Sequence, residues 1–155
     1  MITDVLIGGL LASTAFTAVI FASYFWCPEV WIQELTEGRE DGGASPWKSG
    51  LIVAGTVVAM LGGAGLTAWW VASGGVTSYW VLAAIAWGVL VVINLWDLVV
   101  IDIVLYMWVR PSFMQWEGYP RLDRYWPHVR GSLMGAFPIG IPMALIAALP
   151  AYWLS

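Results

Sequence analysis

Residues 79–109 read YWVLAAIAWGVLVVINLWDLVVIDIVLYMWV. Almost every position is apolar, and the run is longer than the roughly 20 residues that a helix needs to cross a hydrocarbon core. At 1.5 Å per residue it predicts a helix of roughly 46 Å, which exceeds the roughly 30 Å core. Such a helix must tilt or project beyond the membrane. Three acid or amide side chains interrupt it: Asn94, Asp97 and Asp102.

Working outward, three more stretches qualify as spans: about 5–26, 50–72 and 131–154. The whole chain, 1–155, reads as one all-α domain, an integral membrane four-helix bundle. The first stretch lacks a basic leader, since only Asp4 precedes it, and it is too long for a signal-peptide core. It is expected to be a true membrane helix. The link 73–78 is short and polar, so the second and third spans should form an antiparallel hairpin.

Composition agrees. Of 155 residues 61% are apolar and 10% are charged, and mean hydropathy is +0.81. A soluble domain usually carries about 25% charged residues. A soluble enzyme and a disordered chain are therefore excluded. The net charge of −4 argues against nucleic acid as a partner.

The six bases orient the chain. Arg39 and Lys48 fall between the first two spans; Arg110, Arg121, Arg124 and Arg130 fall between the last two. The positive-inside rule then places both long loops, 27–49 and 110–130, in the cytoplasm and both termini outside a cell (plasma) membrane. The twelve tryptophans fit this arrangement. Trp26, Trp31, Trp47, Trp108, Trp116 and Trp126 lie at cytoplasmic helix ends; Trp69, Trp70, Trp80 and Trp153 lie at outer ends. Indole rings favour the headgroup zone. Only Trp87 and Trp96 are left at depth.

Several chemistries lack their residues. The single cysteine, Cys27, cannot form a redox disulfide within the chain. The single histidine, His128, rules out bis-histidine haem ligation within the chain. A retinal Schiff base needs an embedded lysine, and the only lysine, Lys48, sits at a loop end.

The polar exceptions are the candidate site. A carboxylate at the helix centre costs about 2.5–3.5 kcal/mol on insertion scales, so it is seldom left facing lipid. Asp97 lies deeper than Asp102 and is the better functional candidate. On an α-helical wheel Asn94 neighbours Asp97, while Asp97 and Asp102 lie about 140° apart with Asn94 between them; one continuous polar face could hold all three, but the two carboxylates need not touch. Asp102 has Arg110, Arg130 and His128 as candidate partners at the inner surface. Thr14 and Thr17 are expected to bond back to their own helix. Small residues in the second span (Ala59, Gly62, Gly63, Gly65) and in the fourth (Gly131, Gly135) suit close helix packing. Pro138, Pro142 and Pro150 should kink the fourth span.

The 110–130 loop is aromatic, and its four bases outweigh Glu117 and Asp123 to give +2. An ordered inner-surface site drawing on Arg110, Tyr119, Asp123, Tyr125, His128 and Arg130 is expected there, with anionic lipid headgroups as a fitting partner. Asp102, Asp123 and His128 form a weak metal candidate. The 27–49 loop holds an acidic stretch and a flexible Gly42–Pro46 linker.

Three short groups carry a resemblance. They are Pro28-Glu29-Val30-Trp31-Ile32-Gln33, then Asn94-Leu95-Trp96-Asp97-Leu98 with Asp102 and Arg110-Pro111, and then Gly118-Tyr119 with Asp123, Tyr125, His128 and Gly131. These resemble segments of a group of small four-helix prokaryotic membrane proteins. The resemblance implies a four-helix fold in which the acidic third span and the aromatic loop form one site; it carries no activity with it. The linker of this chain is more acidic than the pattern.

Three functional expectations follow. The first is a transporter, channel or sensor for a cation, proton or small ligand, using Asn94, Asp97 and Asp102. It would work as a homo-oligomer or within a larger complex, because four helices enclose little interior. The second is a non-catalytic structural or accessory subunit. The third, least favoured because no nucleophile–base pairing is visible, is a lipid-acting interfacial enzyme using Asp102, Asp123 and His128.

Overall fold

A computed structural model describes residues 1–28, 46–109, 111 and 125–154. Described residues form helices and turns, with no strand among them. The helices are α1 (Ile2–Trp26), α2 (Pro46–Ser73), α3 (Tyr79–Trp96), α4 (Tyr125–Met134) and α5 (Gly140–Leu154). Two stretches are wound in the wider i→i+5 register: π1 (Asp97–Val109), which continues α3, and π2 (Gly135–Ile139), which joins α4 to α5. Four continuous rods result, Ile2–Trp26, Pro46–Ser73, Tyr79–Val109 and His128–Leu154, each long and apolar enough to cross a membrane.

The predicted boundaries hold within a few residues, and the structure lengthens three spans. The first begins at Ile2 rather than near Val5. The second begins at Pro46, a residue assigned to the linker from sequence. Proline suits the first helical position because its missing N–H has no intrahelical partner there. The rest of the Gly42–Pro46 linker, and the acidic stretch before it, lie outside the described residues.

The α2–α3 hairpin is the centre of the bundle, with α1 against one side and α5 against the other; α1 and α5 make no substantial contact with each other. Its turn is tight. Gly74 N–H donates to Val71 O at 3.1 Å and Gly75 N–H to Ala72 O at 2.9 Å. Gly75 takes φ +99°, the left-handed conformation that glycine adopts without a Cβ clash. We call this the turn end of the bundle, and the opposite end, where α1 finishes and α2 starts, the loop end.

Small residues let the helices approach closely. A Cβ on Gly63 would strike Ala12, and one on Gly9 would strike Val92. Glycine is therefore required where α1 meets α2 and α3. Gly62 and Gly131, also expected in packing, instead face open space. Outside this core the surface is apolar: Leu11, Val58, Leu66 and Ile146 are all exposed. In water such a surface would associate; hydrocarbon suits it.

Eight of the ten tryptophans expected to anchor the helices are described, namely Trp26, Trp47, Trp69, Trp70, Trp80, Trp108, Trp126 and Trp153, and every one is exposed. They lie at helix ends, four at each end of the bundle. Trp31 and Trp116 lie outside the described residues.

Candidate functional site

The two remaining tryptophans sit part-way along the third rod and are partly buried. Away from water an indole N–H needs an acceptor. Trp87, in α3, donates from Nε1 to the backbone carbonyl of Ala136 at 2.8 Å. Its ring meets Phe137 edge-on, with centroids 5.7 Å apart. Trp96, at the end of α3, donates from Nε1 to Thr17 Oγ1 in α1 at 3.1 Å. Thr17 in turn donates to Ser13 O at 2.7 Å, and Thr14 donates to Leu10 O at 2.9 Å. Both threonines thus bond back to α1 as expected, and Thr17 also serves as an acceptor. The sequence did carry a signal for these bonds: an indole with no interface to occupy must find a partner inside.

Asn94 lies seven residues after Trp87, two α-turns along, and so on the same face. Its Nδ2 donates to Leu90 O at 2.8 Å. A Cβ on residue 135 would run into its Oδ1, so glycine there lets α3 and π2 meet without displacing the amide. Trp87 and Asn94 therefore seat α3 on π2. The winding of π2 has a local reason. Pro138 has no N–H, so a regular helix would leave Met134 O without its donor. The i→i+5 register lets the N–H of the next residue along, Ile139, take that place. Pro138 thus sits inside a π segment.

The carboxylates follow on π1, and here the α-helical wheel needs correction. In an i→i+5 helix, residues five apart stand about one turn above one another. Asp97 and Asp102 therefore share a face instead of diverging by about 140°. No proline or glycine lies within π1 to explain the change of winding. Both carboxylates are partly buried, and Asp97 is within electrostatic range of Asp102 and of His128.

Of the candidate partners for Asp102, His128 is the one described in contact. His128 Nδ1 lies 2.9 Å from Asp102 Oδ2, with the side chains 18% and 17% exposed. The pair joins π1 to α4 at the loop end. Arg130 is exposed on α4. Tyr125 opens that helix, but its side chain is outside the described residues, as are Arg110, Tyr119 and Asp123. The expected ordered loop and headgroup site therefore fall mostly on undescribed positions. Among the described residues no group of three His, Cys, Asp or Glu side chains is placed to hold a metal ion. Cys27 is buried at the end of α1.

The site thus runs along one side of the third rod, from Trp87 through Asn94 and Asp97 to Asp102, and faces the fourth. Chemically it offers a carboxylate–imidazole pair near the loop end and a second carboxylate one turn deeper. Such a set can hold a proton or a small cation, or can fix two helices together. Fold and site together define a four-helix bundle whose helices can span a membrane, with a polar seam between its third and fourth rods. No protein-family model matches the sequence, and neither a curated protein nor a solved structure matches it.

Proposed function

We propose that the chain is a multi-pass protein of the cell membrane that binds or passes a cation, a proton or a small ligand along the seam of Asn94, Asp97 and Asp102. Both termini face outward and the two long loops face the cytoplasm, a reading that rests on the one-sided distribution of the six bases. The chain acts as an oligomer or within a larger complex, since the bundle core is filled by its own side chains.

One observation carries the reading: two carboxylates share a face of π1, and the one nearer the loop end, Asp102, meets His128 on the fourth rod. Ionisable groups at membrane depth tend to mark ion and proton pathways. The protein is reconstituted in liposomes and its flux of protons or monovalent cations is compared with that of Asp97→Asn. Flux should fall at least about tenfold, the factor set by about 1.4 kcal/mol in a barrier. Flux unchanged across pH would sink the proposal.

A second reading is favoured by the hydrogen bonds of Trp87 and Trp96. Each ties α3 to a neighbouring rod, as a purely structural seam would. In a structural or accessory subunit, Asp97→Asn lowers thermal stability or recovery of the complex and leaves no separate functional defect.

A further inference from the structure

The two halves of the fourth rod are held very differently. In α5, Gly140, Ala144, Ala147, Ala148 and Ala151 are buried, and the helix packs on both α2 and α3. In α4 no described side chain is buried. It packs on π1 and the end of α3, with no substantial contact to α1 or α2. Between the halves lies π2, which contains Gly135 and Pro138 and is followed by Gly140. Glycine and proline in an i→i+5 segment are the usual ingredients of a helix pivot. On the loop-end side of that pivot, Asp102–His128 ties α4 to π1 through side chains.

We propose that α4 is a hinged arm, pivoting at π2 and latched onto π1 by the Asp102–His128 pair, whose release opens the Asp97 side of the seam at the loop end. This deepens the proposed function and rests on it for what the motion serves, but the motion itself can be tested without any flux measurement. Asp97 lies on the latched face, one turn deeper than Asp102. Swinging α4 away uncovers that face while α5 stays packed, so the seam is reached from the loop end alone. A small population of the open form in the resting protein is enough, since a ligand or a change in the latch shifts an equilibrium that already exists.

The test uses the full chain with Cys27→Ser and spin labels on cysteines placed at two exposed sites, Gly50 at the start of α2 and Arg130 on α4. Pulsed electron resonance in nanodiscs reads the distance between them. The latched chain should give one dominant distance. His128→Ala and the near-isosteric Asp102→Asn should each raise a second, longer distance by about two- to fivefold, the population change expected on losing a partly exposed ion pair. Adding Pro138→Ala, which restores a regular helix at the pivot, should abolish that second distance. A second label pair at the exposed Leu66 and Leu149 reports the turn end and should not move. An unchanged distribution in both latch variants overturns the proposal. So does a second distance that survives Pro138→Ala, or an equal change at the turn end, which would mean that the whole bundle has loosened. Loss of flux in Asp97→Asn with no arm movement defeats the hinge alone; arm movement with normal flux in Asp97→Asn defeats the site reading alone.

Discussion

Toward the turn end, where α2, α3 and α5 meet, the interior is alanine and aliphatic: Ala68, Ala72, Leu82, Ala86, Ala148 and Ala151 are buried there and the backbone is α-helical. At the loop end, π1 meets α4 through an aspartate and a histidine, with no buried side chain among the described residues of α4 and a wider winding on π1. The first region is held by shape and the second by a few polar contacts. In a bilayer this difference matters more than in water. Lipid tails are as apolar as leucine, so burial against another helix gains contact rather than escape from water. Close packing must come from small residues and good fit, whereas a polar contact is specific to one partner atom.

The comparison can be broken most severely at the packed end. Leu82 is fully buried, and Leu82→Ala should cost about 2 kcal/mol, the low end for such a truncation because the transfer contribution is small in lipid. Unfolding in mixed detergent measures it, and a cost no greater than that of a lipid-facing leucine such as Leu66 would deny the tight fit. Next comes the boundary between the regions. Gly135→Ala drives a methyl group into Asn94 Oδ1 and should cost about 1–3 kcal/mol. Much of that loss should vanish in an Asn94→Ala background, and simple additivity in the double-mutant cycle would contradict the contact.

Smaller effects are expected at the polar end. The Asp102–His128 pair is partly exposed, so its coupling energy in a double-mutant cycle should be about 0.5–1 kcal/mol. Trp87→Phe removes one hydrogen bond and keeps most of the ring, and should cost about 0.6 kcal/mol, the usual size for such bonds between membrane helices. If the loop-end pair proved worth more than Leu82, the division into a shaped half and a polar half would be the wrong way round.

The four rods were legible because length and apolarity alone define a span. The first, read from about Val5 to Trp26, is Ile2–Trp26. The tryptophan girdle was legible for the same reason, since position relative to a span end decides its role. Glycine contacts were only partly so. Gly63 was anticipated, but Gly8, Gly9 and Gly88 were not. Both the lipid-facing and the core-facing sides of these helices are apolar, so periodicity does not tell one from the other. His128 was one of three partners weighed for Asp102, and only the fold brings π1 and α4 together. A broad polar face holding Asn94, Asp97 and Asp102 was legible, but the winding of π1 that draws the two carboxylates closer together was hidden. A wheel presumes its own period, and nothing in the residues of π1 announces an i→i+5 register.

The split between end-placed and interior indoles has an optical consequence. A quencher confined to the headgroup zone reaches the eight exposed rings and spares Trp87 and Trp96. Among the described tryptophans, the emission that survives comes from two reporters at two different helix contacts. Trp87 watches π2, and Trp96 watches α1. Their separate responses would tell a rearrangement of the fourth rod from one of the first.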